Sequence, residues 1–540
     1  MMNFGDLFDS IDSRLAPDVT RIIEETPEGT RRTVTSAELR AASNNLARNM
    51  LEMGLQPGDK VAFYGKNSAD YLISVVAAIK ARLVHVNVNY RYEHEELRYL
   101  LDNSDARCVV FDSAFRDKLK AILGELPLCE HGVELGGESA DDWALSFDSL
   151  AGKGDGEPLD IAREPEDLIF MYTGGTTGMP KGVMWEQCQM WNMIGRNFLD
   201  PAGAIPQSPE EISLASEGGT FNNLVILPLM HGGGLYTAIN ALGYGNLCVL
   251  PISSGFDPDL ALSCIDKHAI MVLTISGDAF ATPLINALQD NPGKYGLQAL
   301  KVVNSTAMIF SNHNKKALLK QIPELIIFDN LGSSESPASA MAMFGKDNDL
   351  EGSSVVLNLT PNSKVFTEDL REVQPGSGEK GFLASTGALP LGYYKDEAKT
   401  AATFITVDGV RYSRPGDWVE VLEDGSVKFL GRGSVSINSG GEKIYPDEVE
   451  SVIKSHPSVD DCVVVGVADE RFGQAVTAVV QPKQEGAVTA DALRDHVRSR
   501  LSGYKVPKHV LFVAEVYRAP NGKVDYPATK AWAEAAHHDK

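Results

Sequence analysis

Short apolar runs alternate with amphipathic segments through the first two thirds of the chain. An apolar run at Lys60–Tyr64 is followed by helical spacing over Ala69–Lys80 and by a second apolar run at 83–88. Helical spacing returns at 93–102, and residues 108–111 again have the character of a strand. Because strands that alternate with helices pair through crossover connections, this pattern predicts parallel sheets and an α/β fold.

The middle of the chain and its later part carry different patterns. Further strands are predicted at the short apolar runs 168–172, 224–227, 247–250, 271–275, 301–304 and 325–328. Residues 132–166 are rich in Gly, Asp, Glu and Ser, and their weak periodicity favours a surface excursion between strands. From Gly376 onwards, turns such as Asp408-Gly409 separate short apolar runs, which predicts a small β-rich subdomain of hairpins.

The C-terminal part of the chain forms a further predicted unit. It combines a helix that begins near Pro446 with a helix at 490–501 and with strands at 462–467, 477–481 and 510–513. We therefore predict a large N-terminal domain over residues 1–431, a hinge at 432–437 and a smaller α+β C-terminal domain over 438–540.

The charge balance limits the partners of the protein. Its 540 residues include 49 Lys and Arg against 73 Asp and Glu, which gives a formal net charge of −24 and a pI near 4.9. Nucleic-acid binding and adhesion to anionic lipid both require a basic face, so neither partner is expected. A local positive site for a polyanionic small molecule is compatible with this charge.

Hydropathy and cysteine usage indicate a soluble protein of a reducing compartment. Mean hydropathy is −0.12, and the most membrane-like stretch, residues 71–88, is interrupted by Lys80, Arg82 and His85. Residues 1–18 lack the basic start and the apolar run of a secretory signal. The six cysteines are scattered and form no CxxC pair, which excludes the usual zinc and dithiol motifs. We expect a cytoplasmic protein without a transmembrane segment.

Residues 172–182, with the sequence YTGGTTGMPKG, carry the clearest chemical signal. They follow the predicted strand 168–172 directly, and their glycines allow backbone N–H groups to converge on one point. Threonine hydroxyls and the ammonium group of Lys181 add donors and a positive charge, so the segment predicts a cradle for polyphosphate. A Walker A loop would require Gly-x-x-x-x-Gly-Lys-Ser/Thr, so this spacing disfavours a P-loop ATPase or kinase.

The order Thr-Thr-Gly-x-Pro-Lys-Gly resembles the signature of the adenylate-forming superfamily, which includes acyl-CoA synthetases, luciferases and peptide-synthetase adenylation domains. The resemblance covers nearly the whole chain and is strongest to actinobacterial fatty-acyl-CoA synthetases that activate steroid side chains. The segments that carry this similarity are NVNYRY at 87–92, GDAFA at 277–281, GSSE at 332–335 and GRGSVSINSGGEK at 431–443. The resemblance implies a large multi-layer N-terminal domain, with α/β subdomains and a small β-rich subdomain, and a smaller mobile α+β C-terminal domain.

The resemblance also implies roles for individual residues. For ATP and AMP it implies contacts with Thr173, Gly174, Gly175, Thr176, Thr177, Gly178, Lys181, Asn330, Leu331, Gly332, Ser333, Ser334, Glu335, Asp417, Arg432 and Lys523. For the acyl substrate it implies His231, Gly232, Gly277, Asp278, Leu331 and Gly332, and for the coenzyme A channel it implies Gly440, Gly441 and Lys443. Catalytic roles are implied for Thr173, His231, Glu335 and Lys523; of these, Glu335 would ligate Mg²⁺ and Lys523 would be the adenylation lysine.

Three positions depart from the family pattern. Leu331 stands where many relatives place an adenine-stacking Tyr, and Pro415 replaces the Thr that usually precedes Gly-Asp at the ribose site. Val435 occupies a hinge position that is usually Asp or Lys. We expect an apolar contact at Leu331 in place of ring stacking, and a hinge that turns at Val435 without a polar side chain.

Together these features predict an ATP-dependent acyl-CoA synthetase of lipid metabolism that forms an acyl-AMP intermediate and uses ATP, Mg²⁺ and coenzyme A. The segments 231–234, 277–280 and 330–332 are apolar or glycine-rich and contain no Lys or Arg, which favours a hydrophobic monocarboxylic acid. A bulky steroid side-chain acid, a medium- or long-chain fatty acid and an aryl acid remain open.

Three other functions and one assembly are left open by the sequence. The functions are those of an adenylating enzyme with an acceptor other than coenzyme A, a binding protein without chemistry, and a phosphotransferase with a glycine-rich loop. A homodimer is a possible assembly.

Overall fold

The computed structural model describes residues 1–92, 94–137, 143–173, 179–197, 203–214, 221–348, 356–439, 442–469, 473–501, 503–518 and 524–538. Within these ranges its strands, numbered along the chain, are β1 Thr20–Thr26, β2 Gly29–Thr35, β3 Lys60–Tyr64, β4 Val84–Asn87, β5 Ala106–Asp112, β6 His131–Leu135, β7 Ala144–Ser146, β8 Leu168–Thr173, β9 Lys181–Glu186, β10 Asn223–Leu224, β11 Cys248–Pro251, β12 Val272–Ile275, β13 Val302–Ser305, β14 Ile326–Ser333, β15 Ser336–Phe344, β16 Val356–Leu359, β17 Ser363–Phe366, β18 Lys380–Ser385, β19 Gly392–Tyr393, β20 Phe404–Val407, β21 Val410–Ser413, β22 Asp417–Val421, β23 Val427–Arg432, β24 Ile437–Ser439, β25 Glu442–Ile444, β26 Val459–Asp469, β27 Gly473–Pro482 and β28 His509–Phe512.

The helices of the same ranges are α1 Phe4–Arg14, α2 Ser36–Glu52, α3 Ala69–Lys80, α4 His94–Asn103, α5 Arg116–Leu123, α6 Phe147–Gly152, α7 Gln187–Ile194, α8 Gly232–Gly243, α9 Pro258–Lys267, α10 Asp278–Asp290, α11 Asn312–Gln321, α12 Glu397–Thr403, α13 Pro446–Lys454, α14 Ala490–Arg498 and α15 Tyr526–His538.

One sheet of the N-terminal part is mostly parallel. Its order is β19-β9-β8-β4-β3-β5-β6-β7. The strands from β8 to β7 run parallel, whereas β9 and β19 are antiparallel to their neighbours. The apolar runs at Lys60–Tyr64, 83–88, 108–111 and 168–172 correspond to β3, β4, β5 and β8, so the α/β prediction is confirmed.

A second sheet passes from a parallel half into an antiparallel half. Its order is β2-β1-β11-β10-β12-β13-β14-β15-β16-β23-β22-β18-β21-β20, and β17 pairs with β18. The strands from β1 to β14 in this order are parallel, and every pairing from β14 to β20 is antiparallel. The predicted hairpin at Asp408-Gly409 joins β20 to β21, and both turn residues have positive φ, as a two-residue hairpin turn of the primed type requires. The β-rich subdomain is thus confirmed.

The C-terminal part forms a smaller α+β unit. Its sheet has the order β25-β24-β27-β26, with β28 parallel to β27. Helix α13 begins at Pro446, where a proline at the first helical position fits because its missing N–H would have no partner there. A 3₁₀ turn at Gly433–Val435 connects β23 to β24.

The prediction of a surface excursion over residues 132–166 is wrong in part. Strands β6 and β7 lie in this range and extend the first sheet, and α6 follows them. Val133, Phe147 and Leu150 are at most 5% exposed. Strand β7 has only three residues, and β6 carries His131, Gly132 and Glu134 among its five, so neither forms an apolar run in the sequence.

The interrupted apolar stretch at 71–88 is a buried helix followed by a strand, as expected. Lys80, at the end of α3, is 0% exposed, and its ammonium lies 2.8 Å from Asp12 and 3.0 Å from Asp9 of α1. Burial of His85 in β4 lowers its pKa to about 4. Both polar residues are therefore accommodated inside the fold, one as a paired cation and one as a neutral ring.

The expectation of buried cysteines also holds, with one exception. Five of the cysteines are buried and Cys129 is partly exposed, and none of the six forms a disulfide. Burial raises the pKa of the Cys108, Cys248 and Cys264 thiols. In the part of the chain that the structure describes, every helix is too short or too polar to cross a bilayer.

Candidate active site

A cavity of about 1700 Å³ lies where the carboxyl ends of both parallel sheets converge. Ligands of open α/β sheets bind in the crevice outside the carboxyl ends of the strands, so this cavity is the candidate active site. The wall residues at or just beyond the carboxyl ends of β3, β4, β8, β10, β11, β12 and β13 are Lys66, Asn67, Tyr90, Arg91, Thr173, Ile226, Leu227, Pro251, Ile252, Ser276, Thr306 and Ala307.

The turn between β14 and β15 forms one edge of the cavity. Ser333 and Ser336 face each other across this tight connection, and the Ser333 hydroxyl accepts hydrogen bonds from the backbone N–H groups of Glu335 and Ser336, both at 3.2 Å. The indole N–H of Trp185, a fully buried residue of β9, donates to the carbonyl of Ser334 at 2.9 Å. The backbone of the predicted nucleotide segment is therefore held from both sheets.

Glu335 points its carboxylate towards a tyrosine of the neighbouring sheet. The hydroxyl of Tyr393 in β19 donates to Oε1 of Glu335 at 2.6 Å, and both residues line the cavity. A hydrogen bond to an ionised acceptor is among the stronger ones, so it restricts the orientation of the carboxylate. Sequence reasoning found Glu335 but not Tyr393, which lies outside every motif and is close only in space.

A chain of hydrogen-bonded hydroxyls extends from this turn into the β-rich subdomain. It runs through Ser336, Ser339, Ser385, Ser363 and Thr360, with successive oxygens separated by 2.8–2.9 Å. The four serines are at most 7% exposed, so each relies on its neighbours for hydrogen bonds. The chain ties β15, β17 and β18 together beneath the polar edge of the cavity.

Thr173 and Lys181 are cross-strand neighbours at the ends of β8 and β9, and both line the cavity. The ammonium of Lys181 lies 3.2 Å from Asp396 and 5.9 Å from the ring centre of Tyr393. The pKa of Asp396 is lowered, first by a hydrogen bond from the backbone N–H of Lys399 and then by Lys181. The predicted phosphate residues Gly174, Gly175, Thr176, Thr177 and Gly178 lie outside the described residues.

Helix α8 begins at the cavity wall, with His231 as its N-terminal cap. His231, Gly232 and Gly233 line the cavity, and Tyr236 and Asn240 follow on the same face at helical spacing. The next glycine, Gly234, packs so closely that an added Cβ would lie 2.4 Å from the carbonyl oxygen of Pro228. The predicted acyl-site histidine is therefore positioned by a helix start that only glycine permits.

Gly277, Asp278 and Leu331, which are predicted to contact substrate or adenine, are not among the described residues that line the cavity. The carboxylate of Asp278 accepts hydrogen bonds from the N–H and hydroxyl of Ser311 and from Asn314, at 3.0, 3.1 and 2.8 Å, and so joins α10 to α11. Gly277 has a φ of 51°, and a Cβ there would lie 2.3 Å from a backbone oxygen of Ile309.

Leu331 packs against the apolar core of the β-rich subdomain. The lining residues of this part of the described chain are instead Ala279, Phe280, Asn330 and Gly332. Successive side chains of a strand lie on opposite faces of the sheet. Because Asn330 lines the cavity, the side chain of Leu331 lies on the other face.

The predicted ribose residue lies beside the polar edge. Arg414, Pro415 and Gly416 line the cavity, and Asp417 follows them as the first residue of β22, where it is 3% exposed. In β22 and β23 Asp417 pairs with Arg432, of which the backbone alone is described. Lys443 is likewise placed only as a residue of β25, and Gly440, Gly441 and Lys523 lie outside the described residues.

Apolar side chains cover the rest of the wall. They come from the end of α7 and the residues after it, the loop after β11, the start of α10 and the far end of β15, and they include Met193, Ile194, Ile205, Ile252, Phe256, Phe280, Met341 and Met343. The rings of Phe256 and Phe280 are 4.7 Å apart. Methionine adapts to irregular shapes, so this surface suits a bulky apolar body.

Sequence reasoning missed several basic residues of the wall. The segments predicted for the acyl pocket indeed lack Lys and Arg, but other segments contribute Lys66, Arg91, Arg196, Lys399 and Arg414. Lys66 and Arg91 follow β3 and β4, so the rule about carboxyl ends of strands could have found them. Arg196, Lys399 and Arg414 carry no signal in the sequence.

Comparison with known proteins assigns the chain to a family. The model of the AMP-binding enzymes matches residues 12–394, and that of the AMP-binding enzyme C-terminal domain matches residues 448–523. A 3-oxocholest-4-en-26-oate–CoA ligase of Rhodococcus rhodochrous is 41% identical over 507 residues, which are 92% of this chain and 90% of that protein. A medium/long-chain-fatty-acid–CoA/3-oxocholest-4-en-26-oate–CoA ligase of Mycolicibacterium smegmatis is 39% identical over 91% of this chain and 90% of its own length.

Solved structures share the fold over the full length. ATP-bound MatB from Rhodopseudomonas palustris superposes with a TM-score of 0.80 at 24% identity, over 99% of this chain and 100% of that chain. The anthranilate CoA ligase AuaEII, in complex with anthranoyl-AMP, gives a TM-score of 0.83 at 21% identity, over 100% of this chain and 99% of that chain. The predicted fold class, a large N-terminal part with a smaller C-terminal part, and the predicted superfamily are both confirmed. The chain belongs to the family of AMP-binding enzymes.

Proposed function

We propose that this protein is an AMP-forming acyl-CoA synthetase that activates a hydrophobic monocarboxylic acid. The observation that carries the proposal is a cavity with a polar, hydroxyl-rich edge at Ser333–Glu335 and a methionine-rich wall along the strand that follows this turn, β15. Such a cavity accommodates a nucleotide phosphate and an apolar acid side by side. Relatives at about 40% identity are CoA ligases, and this agrees with the proposal.

The polar edge would hold ATP. Thr173 and Lys181 are adjacent at one side of it and Ser333 and Ser334 at the other, so hydroxyl and ammonium donors face a common space. Asp417 follows the lining residues Arg414–Gly416. Its carboxylate would accept a hydrogen bond from each of the two ribose hydroxyls, since it has two oxygens. Gly174–Gly178 would complete the phosphate contacts.

Glu335 fits a magnesium ion that is bound together with phosphates. Mg²⁺ prefers oxygen ligands and often takes one or two carboxylates, with phosphate oxygens and water in the other positions. Glu335 would supply one carboxylate to such an ion, with phosphate oxygens and water as the other ligands. When bound there, the ion would offset the negative charge of the phosphates.

The chemistry proceeds through a mixed anhydride. The substrate carboxylate attacks the α-phosphorus of ATP and pyrophosphate leaves; the thiol of coenzyme A then attacks the acyl carbon and AMP leaves. Negative charge gathers on phosphate oxygens in the first step, so positioning and electrostatics supply most of the catalysis. Lys181 and Lys523 would provide fixed positive charge, and His231 would border the carboxylate at the start of α8.

The C-terminal unit would turn at residues 432–437 between the two steps. In the structure it contacts the N-terminal part through Glu448, whose carboxylate lies 3.0 Å from Lys428 of β23. The same carboxylate lies 2.6 Å from Lys505 of its own unit. A rotation at Gly433–Val435 would break the contact between Glu448 and Lys428. The same rotation would bring Gly440, Gly441 and Lys443 towards a coenzyme A channel. Lys523 would act in the first step only. The predicted homodimer and cytoplasmic location stay predictions.

Separate assays of the two half-reactions test the proposal. Lys523→Ala should lower the rate of acid-dependent pyrophosphate release by about a hundred- to thousandfold. The variant should still convert added acyl adenylate and coenzyme A to the thioester. Lys530→Ala is the matched control, because Lys530 is a half-exposed lysine of α15 in the same unit, paired loosely with Glu534 at 3.9 Å; it should retain both half-reactions.

The products distinguish the alternative functions. AMP and pyrophosphate without any effect of coenzyme A would indicate an adenylating enzyme with another acceptor, and ADP would indicate a phosphotransferase. A panel of carboxylic acids scored by mass spectrometry of the acyl-CoA products identifies the substrate class. Best activity with small or dicarboxylic acids would contradict the assignment to hydrophobic acids.

A further inference from the structure

Arg196 is a cation on the apolar part of the cavity wall that the proposed function does not use. It follows α7 directly and contributes to the lining together with Met193, Ile194 and Met341. Its Nη1 atom lies 3.9 Å from the sulfur of Met341 in β15. Among the residues that the structure describes, Arg196 has this sulfur contact but forms no ion pair with a carboxylate.

The backbone beneath Arg196 is anchored by two buried side chains of α8 and the residue after it. The amide of Asn240 donates to the carbonyl of Ile194 at 2.6 Å and to that of Arg196 at 3.2 Å. The hydroxyl of Tyr244 donates to the carbonyl of Gly195 at 2.7 Å. Asn240 and Tyr244 are each 3% exposed, so these hydrogen bonds are shielded from water and hold the start of the Arg196 side chain in place.

Two elements of known rise give the distance between Arg196 and the carboxylate end of the cavity. Helix α8 runs from its cap at His231 to the anchoring residue Asn240, which is nine residues and roughly 13–14 Å at 1.5 Å per residue. Strand β15 runs from Ser336, beside Glu335, to Met341, which is five residues and roughly 17 Å. Asn240 and Met341, the residues that contact Arg196, therefore lie roughly 13–17 Å along their elements from His231 and Ser336, which border the proposed carboxylate site.

We propose that Arg196 is a specificity residue that donates a hydrogen bond to an oxygen at the far end of the substrate. This inference rests on the proposed function. A guanidinium group has donors and no acceptor, so it recognises a carbonyl or hydroxyl oxygen and gains nothing from a terminal methyl group. The substrate class is a rigid, apolar carboxylic acid about 13–17 Å long with an acceptor oxygen at the end remote from the carboxylate. Rigidity matters because a flexible chain would lose entropy when it is held extended between the two ends.

Paired substrates test the inference. The enzyme is assayed for coenzyme A-dependent AMP release with 3-oxocholest-4-en-26-oate and with the matched acid that lacks the 3-oxo oxygen. The ratio of their kcat/KM values measures recognition of that oxygen and cancels effects common to both acids. In the natural protein we expect the oxo acid to be preferred about five- to twentyfold, because a hydrogen bond from a charged donor is strong but this arginine is exposed to solvent.

Two variants of Arg196 separate the hydrogen bond from packing. Arg196→Met removes the donor and matches the methionines around it, and should bring the ratio to about 1–2. Arg196→Lys keeps a charged donor and should retain most of the preference. Thermal unfolding of each variant checks that the fold is unchanged.

The possible results are distinct. A ratio near 1 in the natural protein, an equal ratio in Arg196→Met, or activity with alkanoic acids but with neither steroid acid would overturn the inference and leave the proposed function in place. Failure of every acid to release AMP would overturn the proposed function and the inference with it. A ratio that falls in Arg196→Met and is kept in Arg196→Lys supports the inference.

Discussion

The close approach of α8 to the segment before it makes Gly234→Ala an informative change. A Cβ on Gly234 would lie 2.4 Å from the carbonyl oxygen of Pro228 and 2.6 Å from that of Leu227. A carbon–oxygen contact needs about 3.3 Å, so the start of the helix must move by roughly 0.7–0.9 Å. Both obstacles are backbone atoms and cannot turn away as a side chain could.

The magnitude follows from two opposing terms. Forcing an extra methyl group into a packed region costs about 1–3 kcal/mol, and replacing glycine by alanine in a helix contributes about 1 kcal/mol in the other direction. We expect a net loss of about 0–2 kcal/mol in the free energy of unfolding. Because His231 begins the same helix, a displacement near 1 Å should lower the rate of AMP formation on the order of a hundredfold.

The neighbouring glycine supplies a matched control. A Cβ on Gly233 would lie 2.8 Å from Cδ1 of Leu227, the end of a side chain that can change its rotamer, and 3.7 Å from a methyl group of Thr306. Gly233→Ala should therefore change the free energy of unfolding by less than about 1 kcal/mol and should lose much less activity than Gly234→Ala. Urea unfolding and acid-dependent pyrophosphate release measure the two effects. Equal stability and equal activity of the two variants would refute the argument from backbone contact.

Three further changes test other parts of the structure. Lys80→Met should lower the free energy of unfolding by about 1.5–3 kcal/mol, because it removes the charge-assisted contacts of the buried Asp12 and the partly buried Asp9, which keep Arg21 and Arg163 as partners; a loss below about 1 kcal/mol in urea unfolding would contradict this. Ser339→Ala interrupts the hydroxyl chain in its middle and should cost about 1–3 kcal/mol, so a neutral effect would show that the chain contributes nothing. Burial raises the pKa of Glu450 to about 7 from its ordinary value of 4.5, so its protonated form is favoured in the folded state. The stability of the natural protein, relative to Glu450→Gln, should therefore fall as the pH rises from 4.5 to 7, and a difference between the two that is constant over this window would disprove the assignment.

Some elements with a full apolar period could be predicted from the sequence to the residue, whereas β26 and β27 extend well beyond the predicted strands 462–467 and 477–481. Helix α3 has the predicted bounds, Ala69–Lys80, because Ser68 caps it and a buried apolar face continues along its whole length. Strands β6 and β7 could not be predicted, since His131–Leu135 is interrupted by polar residues and glycine, Ala144–Ser146 has only three residues, and both are stabilised by the sheet they join. Tertiary pairing, rather than local sequence, forms such strands.

The candidate site shows the same division. Residues that share a segment, such as Ser333, Ser334 and Glu335, could be found together because the chain itself keeps them adjacent. Tyr393, which orients Glu335, and Arg196, which lines the cavity, come from distant segments that only the fold brings near. No local pattern in the sequence indicates a contact between residues more than fifty positions apart.

The most direct test of the acyl-adenylate mechanism follows one oxygen atom of the substrate carboxylate into the products. If the carboxylate attacks the α-phosphorus of ATP, an acid labelled with ¹⁸O in both carboxylate positions transfers one label to phosphate when coenzyme A displaces AMP. Mass spectrometry of a complete reaction should therefore find AMP with one ¹⁸O and acyl-CoA with the other. Unlabelled AMP, or label in inorganic phosphate together with ADP, would contradict the adenylate mechanism.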